Sequence, residues 1–329
     1  MKLLTSAAAL VIGAFLLSGP TLAQEYTIRL AATAAPTDSD PEYVALKVFE
    51  QTLEAQTKGR VDVQIYPSNQ LGGVREFTEA ISLGSIQMGN TGYDTLALFA
   101  PSANVFALPY LHKNLDHYRA VIEGPIGKEI NDEIAKQSGI RVIGVLWRGA
   151  RQVMTGVRPV RTPADLAGLR IRSPESPLMA GTVRAMGGIP VPMSWSEVYT
   201  ALATGAIDGV ENPLDVLAAA KMQEVQKYLS LTNHIFLGNP LIINDNYFQS
   251  LPEDIRSAIL SAGKKASDAR LESLAETEAT SLEMIKAAGV QVIDDIDPAP
   301  FVTTSRKVWQ QFIDGTNITQ ELIDRIRNF

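Results

Sequence analysis

Two arginines at strand ends, an indole at a helix start and an asparagine before a proline are the side chains best suited to hold a small charged molecule. In Gly168-Leu169-Arg170-Ile171-Arg172, strand alternation puts Leu169 and Ile171 on one face and both arginines on the other. Arg172 falls where the strand gives out into Ser173-Pro174, so its guanidinium can reach a cleft. That rigid fork of donors matches a carboxylate bidentately. Taken alone, a surface arginine in a weak ion pair is the commoner outcome. The same holds for Arg151, which comes after a strand candidate and Gly149. Ser194-x-x-Glu197 is a capping box opening a helix from Trp195 to Thr204. Trp195, Val198, Tyr199 and Leu202 share one face of it, a core stripe in which Trp195 occupies the cleft-facing first turn. Asn212 precedes Pro213, which biases it to extended backbone. Its amide can donate to a carboxylate or hydroxyl, although turn formation is the commoner use.

Bond-making chemistry finds less support. The three histidines are His112, His117 and His234, and the first two, five apart, lack the spacing of a helical metal pair. There is no Gly-x-Ser-x-Gly, no phosphate-cradling glycine loop ending in Lys-Ser/Thr, and no Gly-x-Gly-x-x-Gly after a strand. Asp208, Glu211 and Asp215 lack the spacing of a calcium loop and read as turn charges. No catalytic residue, metal ligand or cofactor is assigned.

The elements that position these residues come in a strand–helix–strand order. Tyr26, Ile28 and Leu30 alternate as a first strand, and Pro41 opens a helix with Tyr43, Leu46, Phe49 and Leu53 at helical spacing. Val61, Val63 and Ile65 form a second strand, giving the βαβ signature of a mostly parallel sheet. Helices are expected near 74–83 and 116–137, the second interrupted at Gly124-Pro125, and a strand at 142–147. A helix near 214–227 and an extended run at 236–244 come next. Pro252 to Gly289 reads as one helix of about 55 Å, longer than a single domain, so it is expected to cross two. The stretch Glu79 to Gln87 echoes Thr200 to Asp208. Both read as helix end, glycine cap and short strand, which implies two lobes of related architecture with a cleft between them.

With 329 residues, 46% hydrophobic and 20% charged, the chain can bury the cores of about two domains. A net charge of −7 and a pI near 5.2 offer no footprint for nucleic acid. Residues 1–23 read as an export signal: Lys2, an apolar run from Leu3 to Leu17, and Thr21-Leu22-Ala23 as the cleavage site. The run is too short for a spanning helix. The absence of cysteine removes disulfides and thiol chemistry. These features point to an exported periplasmic protein.

The blocks YPSNQLGG (66–73), VFALPY (105–110), TPADLAGLRIRSP (162–174), PMSWSEVYTALATGAIDGVENP (192–213) and EVQKYLSLTNHI (224–235), in this order, resemble the solute-binding component of tripartite ATP-independent periplasmic (TRAP) transporters, the DctP family. The resemblance covers nearly the whole mature chain. It implies an α/β fold of two lobes, each a mixed, mostly parallel sheet flanked by helices, with a long helix spanning both. The lobes are expected at 24–148 with 238–277, and at 149–237 with 278–329. It also implies that Arg172 pairs with a ligand carboxylate, that Arg151 is a second polar contact, that Trp195 lies against the ligand and that Asn212 donates to it. Tyr93, Asp94 and Asn239 are placed near the cleft. Sialic-acid binders carry a glutamate and an arginine where this chain has Gly92 and Thr95, and an acid where it has Val74, which argues against that ligand. A sugar acid stacked on Trp195 is the first expectation, with smaller oxo acids or C4-dicarboxylates as alternatives. The implied partners are a small organic acid and the membrane permease subunits, with the protein itself a monomer. The rival readings are an exported enzyme acting on a sugar acid and a sensor module that presents its ligand to a signalling partner.

Overall fold

The computed structural model describes residues 24–313 and 318–329, so the expected export signal lies outside the described residues. Ten strands build the frame: β1 (Tyr26–Ala31), β2 (Val61–Tyr66), β3 (Met88–Asn90), β4 (Ile140–Thr155), β5 (Arg170–Ser173), β6 (Ile189–Pro192), β7 (Gly209–Pro213), β8 (Tyr228–Ser230), β9 (Phe236–Asn244) and β10 (Gln291–Ile293). They make two half-sheets joined through one strand. The first runs β2-β1-β3-β9-β4. The second is built from β10-β8-β4-β7-β5-β6.

The sequence echo has a direct structural cause. In each half, a strand–helix–strand–helix–strand unit lays down three parallel strands in the same order, β2-β1-β3 and β6-β5-β7. After the helices Val74–Ser82 and Val198–Ala203 come Gly84 and Gly205 at φ 79° and 72°, a conformation that favours glycine. Local chemistry sets the helix starts. Asp40 accepts from the Glu42 and Tyr43 amides at 3.0 and 3.2 Å, capping the helix Pro41–Gln56, whose Leu46, Phe49 and Leu53 are buried.

β4 departs from expectation. Instead of a strand confined to 142–147, it runs for 16 residues, through Arg148 and Arg151. Ile140–Ala150 pairs antiparallel with β9, and Arg151–Thr155 with β7. Register shifts at Val142/Gly144 and Trp147/Ala150 break the alternation by which a strand is recognised. The helix expected at 214–227 is also shorter, Leu214–Ala219. Lys221 at φ 57° ends the helical path, and β8 and β10 are too short to show a pattern.

The long helix is present as Glu253–Ala287. Its Ile255, Ile259 and Ala262 pack with Phe49 in the first half, and Ile285 packs with Leu202 and Ile207 in the second. Helix and strand touch backbone to backbone where they cross. A Cβ on Gly144 would lie 2.8 Å from the Gly263 carbonyl, and Ser267 Oγ accepts from the Val145 amide at 2.9 Å.

The tail packs on both halves. Helix Ala299–Ile313 bridges the halves: Phe301 sits in the second core with Ile171 and Val183, while Trp309 Nε1 donates to the Pro109 carbonyl at 2.9 Å. Helix Gln320–Arg327 packs on the first half, with Ile323 and Ile326 beside Tyr118 and Val121. Among the described residues no helix is long and apolar enough to cross a membrane.

Candidate ligand-binding cleft

A cavity of about 220 Å³ opens between the half-sheets. Residues at or just beyond the carboxyl ends of the parallel strands border it: Thr33 after β1, Asp94 after β3, Arg172 ending β5, Trp195 after β6 and Asn212 in β7. Ligand crevices of α/β sheets form at such ends because the loops there leave polar groups and helix starts unpaired.

Arg172 is 5% exposed. Its Nε and Nη2 donate to the Met193 carbonyl at 3.2 and 2.9 Å, and its guanidinium carbon lies 5.2 Å from the centre of the Trp195 ring. The buried arginines among the described residues are Arg151, Arg172 and Arg270. Arg151 and Arg270 hold carboxylates, whereas Arg172 has none within salt-bridge reach. Burial brings its guanidinium down to about 10, against the pull of Glu211. Trp195 opens a 3-10 turn, Trp195–Glu197, before the α-helix Val198–Ala203. Glu197 accepts from the Ser194 amide at 3.1 Å, as the capping box requires. Of the stripe read as core, Val198 and Leu202 are buried, but Tyr199 is exposed and donates to Glu224 at 2.8 Å.

Arg151 is held from behind the cavity. Its Nε is bonded to Glu211 Oε2, and its Nη2 donates to Glu211 Oε1 at 2.7 Å and to the Glu211 carbonyl at 2.8 Å. His234 Nε2 lies 3.1 Å from the same carboxylate. Burial alone would raise the Glu211 carboxyl, but Arg151 and His234 hold it at about 2. Burial keeps the His234 imidazole below its ordinary value despite Glu211. Asp94 also faces the cavity, and burial raises its carboxyl against the pull of Arg151.

A second charged group lies along the cavity. Arg148 Nη2 is 2.8 Å from Glu42 Oε2, and its Nε is 3.8 Å from Asp215 Oδ2. Arg270, from the long helix, donates to Asp215 at 2.7 Å. Asn239 donates to Glu42 Oε2 at 3.2 Å, and Asn90 bonds Glu42 as well.

Of the side chains expected at the site, Arg151, Arg172, Asp94, Trp195, Asn212 and Asn239 line the cavity. Tyr93 does not. Its ring is fully buried and packs on Phe106 at 4.7 Å between centroids, because the first turn after β3 sends Asp94 to the cleft and its neighbour into the core. Gly92, Thr95 and Val74 border the cavity, where the block resemblance put them. Arg148, Glu42 and Asp215 were not anticipated. Arg148 lies just past the expected end of its strand, Glu42 in a helix's first turn, and Asp215 among residues read as turn charges. Asp208, Glu211 and Asp215 are dispersed among Arg170, Arg151 and Arg270, and the described residues contain no group placed to hold a metal ion.

Comparison with known proteins identifies the family. Residues 31–315 match the model of the DctP family, bacterial extracellular solute-binding protein, family 7. The 2,3-diketo-L-gulonate-binding periplasmic protein YiaO of Escherichia coli is 31% identical over 301 residues, 92% of this chain and 91% of that protein. The C4-dicarboxylate-binding periplasmic protein DctP of Rhodobacter capsulatus is 32% identical over 314 residues, 94% of this chain and 90% of that protein. A TRAP periplasmic solute-binding protein of Roseobacter denitrificans, crystallised with bound β-D-glucuronate, superposes with a TM-score of 0.88 at 29% identity, covering 92% of this chain and 99% of that one. A two-lobed α/β frame, a cleft at its strand ends and a match over most of its length agree: the chain belongs to the DctP family of bacterial extracellular solute-binding proteins, and is a binding protein rather than an enzyme.

Proposed function

We propose that this protein captures a sugar acid in the periplasm through an Arg172–carboxylate contact and delivers it to the membrane subunits of a TRAP transporter. The observation that carries the reading is Arg172, a buried guanidinium at the cavity wall with no carboxylate of its own. A buried, unpaired charge is costly and is met where a ligand completes it. Asn212 supports the reading, since its amide has no hydrogen-bond partner among the described residues and borders the same cavity. Trp195 offers an apolar ring face of the kind sugar rings pack on. Arg151 lines the wall with its charge already balanced by Glu211, so it serves as a rigid donor. Sugar acids are favoured because diketogulonate and glucuronate are the ligands named for two of the relatives above.

In the open form water fills the cleft. The carboxylate docks on Arg172, and closure removes water from the ion pair, which strengthens as the local dielectric falls. Each hydrogen bond to a charged group contributes about 1.5–3 kcal/mol, so a few of them suffice for micromolar affinity, about 8 kcal/mol. The moving bodies are residues 24–148 with 238–277, and 149–237 with 278–329. β4, β9 and the long helix connect them. The first 23 residues direct export and are removed after Ala23, and the protein acts as a monomer.

Calorimetry with D-glucuronate, 2,3-diketo-L-gulonate, succinate and N-acetylneuraminate tests the reading. A sugar acid is expected to bind in the micromolar range, N-acetylneuraminate not to bind, and Arg172→Ala to abolish binding while leaving the thermal transition in place. Undiminished binding by Arg172→Ala, or no binding of any carboxylate, overturns it.

A further inference from the structure

The cavity holds two charge groups of different character. The first contains Arg172, Arg151 and Glu211, with Asp94 and His234 beside them. Here two guanidinium groups face the single carboxylate that Arg151 holds, and Arg172 keeps no carboxylate of its own. The second contains Arg148 and Arg270 against Glu42 and Asp215. Its charges cancel, and Asp40, which caps the neighbouring helix and borders the same cavity, adds a further negative one. The groups act separately. Arg172 feels Glu211, Arg151 and Asp94, whereas Arg148 feels Glu42, Asp215 and Asp40.

Arg148 is bound from one side only. Glu42 takes its Nη2, while its buried Nε–H has no acceptor within hydrogen-bond distance. The nearest Asp215 oxygen stands at 3.8 Å, too far to accept. A donor held in this way by a neighbouring carboxylate is suited to a neutral oxygen acceptor. The oxygens of Glu42 and Asp215, which line the same cavity, are able to accept from an O–H. A second carboxylate here would meet Glu42 and Asp215, whose charges are already taken up by Arg148 and Arg270, and like charges in a desolvated site repel strongly.

We propose that the cavity accepts a single carboxylate, and that Glu42, Arg148 and Asp215 form a charge-balanced, hydroxyl-reading wall that selects monocarboxylate sugar acids against dicarboxylates. The proposal rests on Arg172 as the carboxylate partner and narrows the ligand class of that same site. It separates this chain from the C4-dicarboxylate binder it resembles.

The test uses matched pairs that differ in one terminal group: D-gluconate with D-glucarate, and D-galactonate with galactarate, alongside D-glucuronate, each titrated by calorimetry into the mature protein. The wild type is expected to bind a monoacid at least about 100-fold more tightly than its diacid, a difference of about 2.7 kcal/mol. Glu42→Gln and Asp215→Asn each remove one negative charge from the wall and are expected to narrow that ratio about tenfold, chiefly by gain of the diacid. Arg148→Met is expected to weaken the monoacid about tenfold without any gain for the diacid. Equal binding of a monoacid and its diacid by the wild type overturns the proposal, as does an unchanged ratio in folded Glu42→Gln and Asp215→Asn. Should neither variant fold, the wild-type ratio decides alone. No binding of any acid, or full binding by Arg172→Ala, overturns the Arg172 assignment and this inference with it, an outcome distinct from tight binding of diacids.

Discussion

Arg172 and Trp195 are held against each other by the short segment between β6 and the next helix. The guanidinium carbon stands 5.2 Å from the indole centre, and two of its nitrogens donate to the Met193 carbonyl. The ring covers one face of the cation while the carbonyl fixes its plane. The residue itself lines the cavity. A planar fork pre-set in this way loses little entropy on meeting a carboxylate.

Lysine cannot reproduce that fork, because an ammonium offers a point charge on a flexible stem. Arg172→Lys is expected to weaken sugar-acid binding at least about tenfold, about 1.4 kcal/mol, with an unchanged urea midpoint in the absence of ligand. Calorimetry and urea unfolding on the same preparation check both parts.

Glu211 is the counter-charge that makes a buried Arg151 tolerable. Glu211→Gln leaves the guanidinium without an anion and is expected to cost about 3–5 kcal/mol of stability, the usual loss when one member of a buried pair is removed. The pH dependence has a definite sign. The folded carboxyl titrates at about 2, below the unfolded value of about 4.3. Its stabilisation is therefore present above about pH 5 and is lost as pH falls toward 2. Urea unfolding of wild type and Glu211→Gln from pH 6 to 3 should show a steeper acid-side loss in the wild type than in the variant.

His112 lies buried between the rings of Tyr118 and His117, at 4.8 and 5.5 Å. Burial, with a smaller push from His117, brings its imidazole down to about 3. The unfolded chain takes up a proton below its pKa of about 6.5 while the folded chain does not, so stability falls as pH drops. The loss at pH 5 is about 2 kcal/mol from this residue. His112→Phe keeps the ring and removes the titration. It is expected to reduce the difference in unfolding free energy between pH 7 and pH 5 by about that amount, leaving the share of His117 and His234.

Gly263 and Gly144 let the long helix lie on β4. A methyl group on Gly263 would stand 2.4 Å from the Ile143 carbonyl oxygen, so Gly263→Ala must push strand and helix apart. It is expected to lower stability by about 1–3 kcal/mol. The strand and helix concerned run into both halves, so ligand affinity should fall too. Thermal unfolding with and without D-glucuronate reads both effects.

Much of this protein is determined by its sequence alone. The βαβ order, the two echoing units, the spanning helix and the capping box at Ser194 come from periodicity and turn chemistry, which act over a few residues. Arg172 could be placed at a strand end on the same grounds, and the block resemblance supplied the expectation of a carboxylate partner for it. The tertiary structure decided what depends on distant segments meeting. β4 continues through Arg148 because bulges erased its alternation, and that continuity sets Arg148 between Glu42 and Asp215, 106 and 67 residues away in the chain. Tyr93 and Asp94 are neighbours with opposite fates, one in the core and one in the cleft, since a single turn separates their directions. The balance of charge on each side of the cavity is likewise a property of the fold, because Coulomb interactions depend on distance in space and not on position along the chain.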